Sequence, residues 1–208
     1  MTTIRQNRRE EQRARTREEL LDAAARVFAE RGYHAASVDL VADAAGYTKG
    51  AVYSNFDSKE DLFLALLDRR IEASIAAMEE LLFARAPEDR AQMFAGAEPE
   101  VEVVDQDWFL LETEFMLYAA RNGDVRERIA ARQRLIQDRV TELVGRHLDD
   151  LGVAPERLAP ERFARILIAV VSGLARASLA DPRASDHAGE LLNDVANGLI
   201  HQATSPPS

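Results

Sequence analysis

Apolar residues recur at helical spacing along almost the whole chain. Leu20, Ala24, Val27 and Phe28 fall at i, i+4, i+7 and i+8, one face of a helix. Thr16 with Glu19 three residues later forms a capping box, which predicts a helix from Thr16 to about Arg31, ended by Gly32. Ser37 caps a second, short helix, with Asp39 in its first turn where the helix dipole favours an anion. Val38, Val41 and Ala45 give that helix one small apolar face. Gly46 follows it, and a glycine just past a helix end accepts a left-handed backbone at no steric cost. Thr48 caps a third helix, Lys49 to Asn55. Its Val52 and Phe56 point one way, while Thr48, Lys49, Gly50, Ala51, Tyr53, Ser54 and Asn55 face the other. Three helices in under 60 residues bury one small core around the first.

The pattern continues without strands. Ser58 to Asp61 caps a fourth helix, in which Phe63, Leu67, Ile71, Ile75, Met78 and Leu82 recur at three- or four-residue steps, predicting a span of about 59–84. Pro87 breaks it. A short helix is expected over Glu88 to Ala95, then a mobile loop from Gly96 to Asp107. Gln106 to Asn122 is strongly helical. Gly123 ends it, and Asp124 opens another helix to about Leu151. Gly152 and Pro155 make a turn, Pro160 begins a helix to about Ala180, and Pro182 breaks that. Ser185 or Asp186 caps the last helix. The expected fold is all-α, with about nine helices: a flexible basic arm at 1–15, a three-helix domain at 16–58, a larger helical domain at 59–203 and a tail at 204–208.

Composition narrows the classes. The chain has no cysteine, which excludes disulfides and thiolate metal sites. The histidines show no ligand spacing, so no metal and no cofactor is expected. No apolar run approaches the ~20 residues of a membrane span, so a cytoplasmic protein without a membrane partner is expected. There is no nucleophile elbow and no phosphate loop, and an enzyme is not expected. The net charge of -10 is unevenly divided. Residues 1–60 hold 10 Lys/Arg against 10 Asp/Glu, and residues 61–208 hold 16 against 26. Within residues 1–17, six Arg face only Glu10 and Glu11. Such an arm contacts phosphates or a minor groove, or is simply a solvated tail; an acidic body suppresses non-specific adhesion. Lys49 and Lys59 are the only lysines in the chain, and both fall in the first 60 residues.

A short helix anchored by two apolar residues, offering hydroxyls, an amide, a phenol and an ammonium outward, suits a DNA major groove. This is helix-turn-helix logic. The stretch from Ser37 to Leu62, SVDLVADAAGYTKGAVYSNFDSKEDL, resembles the DNA-binding motif of TetR-family transcriptional regulators, and so does the preceding Leu21 to Tyr33, LDAAARVFAERGY. The resemblance implies a homodimer of nine-helix protomers, each with an N-terminal DNA-binding domain and a C-terminal ligand-binding and dimerisation domain. It implies DNA contacts from Ser37, Thr48, Lys49, Gly50, Ala51, Tyr53, Ser54, Asn55 and Lys59, with Lys59 on a phosphate. Ser54 departs from the family pattern, standing where an aromatic residue is frequent.

The larger domain offers two further sets. Trp108, Phe109, Phe115, Met116 and Tyr118 line a ligand pocket or form ordinary core. Ile166, Val170, Gly173, Leu174 and Ala177 make one apolar stripe, and Leu191, Val195 and Leu199 another; they cap the monomer or form a dimer interface, and the small residues among them favour the latter. The function expected is a ligand-responsive repressor. It would bind a pseudo-palindromic operator in double-stranded DNA as a homodimer, and a small apolar effector would release it. The alternative is an activator or ligand-independent regulator on the same fold.

Overall fold

The computed structural model describes residues 2–83 and 105–205. Among them are eight α-helices, one short 3-10 turn and no strand. In chain order they are α1 (Thr2–Ala35), α2 (Val38–Ala45), α3 (Lys49–Tyr53), α4 (Lys59–Phe83), α5 (Gln106–Ala120), α6 (Gly123–Asp150), α7 (Pro160–Ser178) and α8 (Ala188–Thr204), with the 3-10 turn at Pro182–Ser185. The short helix expected over Glu88 to Ala95 and nearly all of the expected loop lie outside the described residues.

Two expectations fail locally. Residues 2–15 are not a loose arm; they are the first turns of α1, which begins at Thr2. The capping box at Thr16 therefore marks no helix start. Its Glu19 is bonded elsewhere: it accepts from Tyr47 and from Arg15. Near the other end, neither Ser185 nor Asp186 caps α8, whose preceding residue, His187, makes no side-chain cap. Asp181 caps the 3-10 turn instead, accepting from the Arg183 amide at 3.1 Å.

The chain divides into two compact units. The first holds residues 1–72 and 111–125, the second residues 73–110 and 126–208. Helices α4, α5 and α6 each run from one unit into the other.

The first unit is built on α1. Leu20, Ala23, Ala24 and Phe28 are buried, as are Val38, Val41 and Ala42 of α2, Val52 of α3 and Phe56 after it. The helix breaks at Gly32, where the backbone takes φ 72° and ψ 169°, a conformation a Cβ strains against. The residue after the break, Tyr33, is fully buried in an aromatic cluster. Its ring lies 4.7 Å from that of Phe115 and 5.1 Å from that of Tyr118; Phe63 is 4.3 Å from Phe115 and 5.1 Å, edge-on, from Phe28. Edge-on and tilted pairs of this kind add about 0.5–1.5 kcal/mol each beyond the area they bury. The Glu114 carboxylate accepts from the Tyr33 amide at 2.8 Å, satisfying a donor that the Gly32 break leaves over. This unit therefore contains more than the three helices expected: it takes in the first half of α4 and most of α5.

The second unit has its own core. Val140, Val144 and Leu148 of α6, Phe163 and Ala164 of α7, and Ala196 and Ala203 of α8 close around Val153 and Leu158. Gly152 (φ 70°) makes the left-handed turn out of α6, and Pro160 opens α7 at a position where its missing N–H costs nothing. Among the described residues no helix is long and apolar enough to cross a membrane, and no group of three or more His, Asp or Glu is placed to hold a metal.

Candidate nucleic-acid interface

The α2–turn–α3 segment is set by local rules that the sequence states openly. Ser37 Oγ accepts from the Leu40 amide at 3.3 Å and starts α2. Gly46 ends it in a left-handed conformation (φ 71°, ψ 26°), its amide reaching the Ala42 and Asp43 carbonyls. Thr48 Oγ1 accepts from the Ala51 amide at 3.2 Å and starts α3. Val52 and Phe56 then hold the inner face of α3 in the core, each at 1% exposure.

What remains outward is Thr48, Lys49, Gly50, Tyr53 and Ser54, all exposed, with Tyr53 at 47%. Ala51, at the same end, is half-buried. Of these only Lys49 is charged. Its ammonium donates to Asp39 at the start of α2 at 2.9 Å, and that hydrogen bond raises its pKa above the usual lysine value. Gly50 is not demanded by the fold. An added Cβ would meet only Thr48 Oγ1, at 3.8 Å, an ordinary contact.

Two residues expected at this surface, Asn55 and Lys59, are engaged inward, and a third, Ser54, is tied to its own helix. The Asn55 side-chain amide donates to the Ala51 carbonyl at 2.9 Å, and its Oδ1 is buried. It locks the end of its own helix. Ser54 Oγ likewise donates to the Ala51 carbonyl, at 2.8 Å, although the residue stays exposed. Lys59 is half-buried. Its ammonium lies 4.4 Å from the Tyr33 ring centre and donates to the His34 carbonyl at 3.3 Å. That burial lowers its pKa, against the opposing pull of Glu60.

Sequence reasoning missed the role of α1 beside α3. Arg13 donates to the Ser54 carbonyl at 3.2 Å and Arg17 to the Asn55 carbonyl at 2.9 Å. Arg17 also stacks over the Phe56 ring at 4.3 Å. The signal was present: Arg13 and Arg17 are four apart, as are Arg15 and Glu19. Reading residues 1–15 as a loose arm hid that spacing.

The pocket candidates divide between the units. In the first, Phe115 is fully buried in the Tyr33 cluster, and the half-buried Tyr118 packs beside it and donates its hydroxyl to Glu60 at 2.7 Å. Met116 is half-buried. In the second, Asp105 caps α5 by accepting from the Trp108 amide at 3.0 Å, and Phe109, like Leu174, packs against Ala175 and Ala188.

A family model described as "Bacterial regulatory proteins, tetR family" matches residues 20–66. The HTH-type transcriptional repressor AcnR of Corynebacterium diphtheriae is 32% identical over 145 residues, covering 66% of this chain and 70% of that protein. The HTH-type transcriptional activator FasR of Mycolicibacterium smegmatis is 36% identical over 91 residues, 44% of this chain, and the chain spans only 41% of its length. Among solved structures, a transcriptional regulator from Rhodococcus sp. Rha1 superposes with a TM-score of 0.67 at 26% identity, covering 92% of this chain and 99% of that one.

Proposed function

The chain belongs to the TetR family and is a DNA-binding transcriptional regulator; from that premise we propose that it is a dimeric, ligand-released repressor of the cytoplasm. One observation carries the reading: α3 buries Val52 and, just after it, Phe56, and turns out an almost uncharged face around a single ammonium. Hydroxyls, a phenol and a bare glycine backbone suit close approach to base edges and phosphates. Lys49 supplies that ammonium, and Ser37 at the start of α2 adds a further hydroxyl to the same surface. Asn55 supports it from behind through the Ala51 carbonyl.

Dimerisation falls to α7 and α8. Ile166, Val170, Leu174, Val195 and Leu199 are only half-buried in the protomer, and Leu191 is 46% exposed. Gly173 lies on the same stripe with open space where a Cβ would be, and Ala177 is exposed beside it. A two-fold dimer reads two half-sites about 34 Å apart or a multiple of that, so its operator is a pseudo-palindrome. The effector is a small apolar molecule held in the second unit near Trp108 and Phe109. It acts by binding the DNA-incompetent state better than the competent one. α4, α5 and α6 are the elements able to pass the change on, since each has residues in both units.

Selection of DNA sites by the purified protein from a random duplex pool tests the reading. The expected product is a pseudo-palindrome, bound by wild type and not by a Lys49→Ala/Tyr53→Ala variant of unchanged melting temperature. Normal binding by that variant would overturn the assignment of α3. An activator is the second reading, favoured by the similarity to FasR. Transcription in vitro from a promoter carrying the selected site separates the two by its sign.

A further inference from the structure

The reading helix α3 is five residues long. A helix of that length has no stability of its own, and the apolar anchors Val52 and Phe56 grip only its inner side. Its pose depends on what holds its ends, and α1 holds both. At the exit, the Ser54 carbonyl sits at the cap of α3 and the Asn55 carbonyl one residue beyond it, where no helical amide follows to bond them. Arg13 and Arg17 supply the donors, at 3.2 Å and 2.9 Å, from one face of α1. The Arg17 guanidinium adds a flat contact on Phe56 at 4.3 Å, a geometry that a lysine ammonium does not reproduce. At the entrance, Tyr47 stands two residues before α3 and gives its hydroxyl proton to Glu19. Glu19 is held in turn by Arg15 at 2.9 Å.

We infer that Arg17 and Glu19, assisted by Arg13, are positioning residues: they fix the angle at which α3 enters the groove and so set operator specificity without touching a base. The inference rests on the reading of α3 as the DNA-reading helix. It differs from the use of the same arginines as phosphate contacts. A phosphate contact strengthens binding to any duplex and steepens its salt dependence by about 0.9 per contact. A positioning contact strengthens binding to the operator alone.

The test compares Arg17→Lys and Tyr47→Phe with wild type, on the selected operator and on a random duplex, across a salt series. Arg17→Lys keeps the charge and Tyr47→Phe changes none, and thermal melting checks that both fold. Operator affinity is expected to fall roughly tenfold in each, the low end of what one lost base contact costs. Random-duplex affinity and its salt slope are expected to stay at wild-type values. Unchanged operator affinity in both variants would overturn the inference, as would an equal fall on operator and random duplex. Lys49→Ala runs alongside: if it too binds operator normally, the reading of α3 itself fails; if it alone loses binding, only the positioning role does.

Discussion

Gly50 is the residue where fold and function ask for different things. Its backbone is not left-handed, and a methyl group there would meet nothing closer than 3.8 Å. Alanine is the better helix former by about 1 kcal/mol. Gly50→Ala is therefore expected to leave stability unchanged or raise it by up to about 1 kcal/mol in urea unfolding. The same variant is expected to lose operator affinity by roughly tenfold or more in fluorescence anisotropy, because the methyl stands between α3 and the groove. Its neighbour Lys49 contributes little to stability, since both partners of its ion pair with Asp39 are more than half exposed. At this scale the sequence was legible at three local contacts: the caps at Ser37 and Thr48 and the turn at Gly46 appear as expected. Asn55 and Lys59 were not legible in the same way. Lys59 bonds to His34, 25 residues back, and the Asn55 carbonyl to Arg17, 38 residues back. No local rule reports such partners.

Among elements, α5 carries the least expected placement. Its periodicity said that one face is buried but not against what. Residues from Leu111 onward join the first unit, where Phe115 fills the cluster around Tyr33 and Tyr118 reaches Glu60 in the first turn of α4. Burial pushes the Glu60 carboxyl up. Hydrogen bonds from Tyr118, its own backbone and Ser58, with Lys59 nearby, outweigh that and hold it below the ordinary glutamate value. A carboxyl depressed on folding stabilises the fold above the ordinary value and loses that contribution as pH falls through the folded one. Tyr118→Phe is expected to cost roughly 1 kcal/mol at neutral pH. The gap from wild type in melting temperature should close as the pH falls below about 4. A gap independent of pH would mean that the hydroxyl contributes by something other than its bond to the ionised Glu60 carboxylate. α1 shows the opposite failure of legibility. Its capping box is correct in composition, yet Glu19 is bonded to Tyr47 and Arg15, and helix continues through Thr16 to Thr2.

Across the whole molecule, the charge balance follows the division of labour: residues 1–60 are neutral in sum and residues 61–208 carry the entire excess of acid. An acidic body keeps a regulator off unrelated DNA and leaves recognition to one end. The dimer interface proposed on α7 and α8 has a direct check at Gly173, which has open space around it. Gly173→Arg is expected to leave the protomer's melting transition in place while sedimentation gives the mass of one chain, and to weaken operator binding by well over tenfold through loss of the second half-site. The two lysines have a practical consequence of their own. Lys49 is exposed and tied to Asp39; Lys59 is half-buried over Tyr33. Every side-chain amine of the chain thus lies in the first unit, so amine-directed acylation read by mass spectrometry footprints that unit alone, each added group reporting whether Lys49 has been covered or Lys59 has left its seat on the aromatic ring.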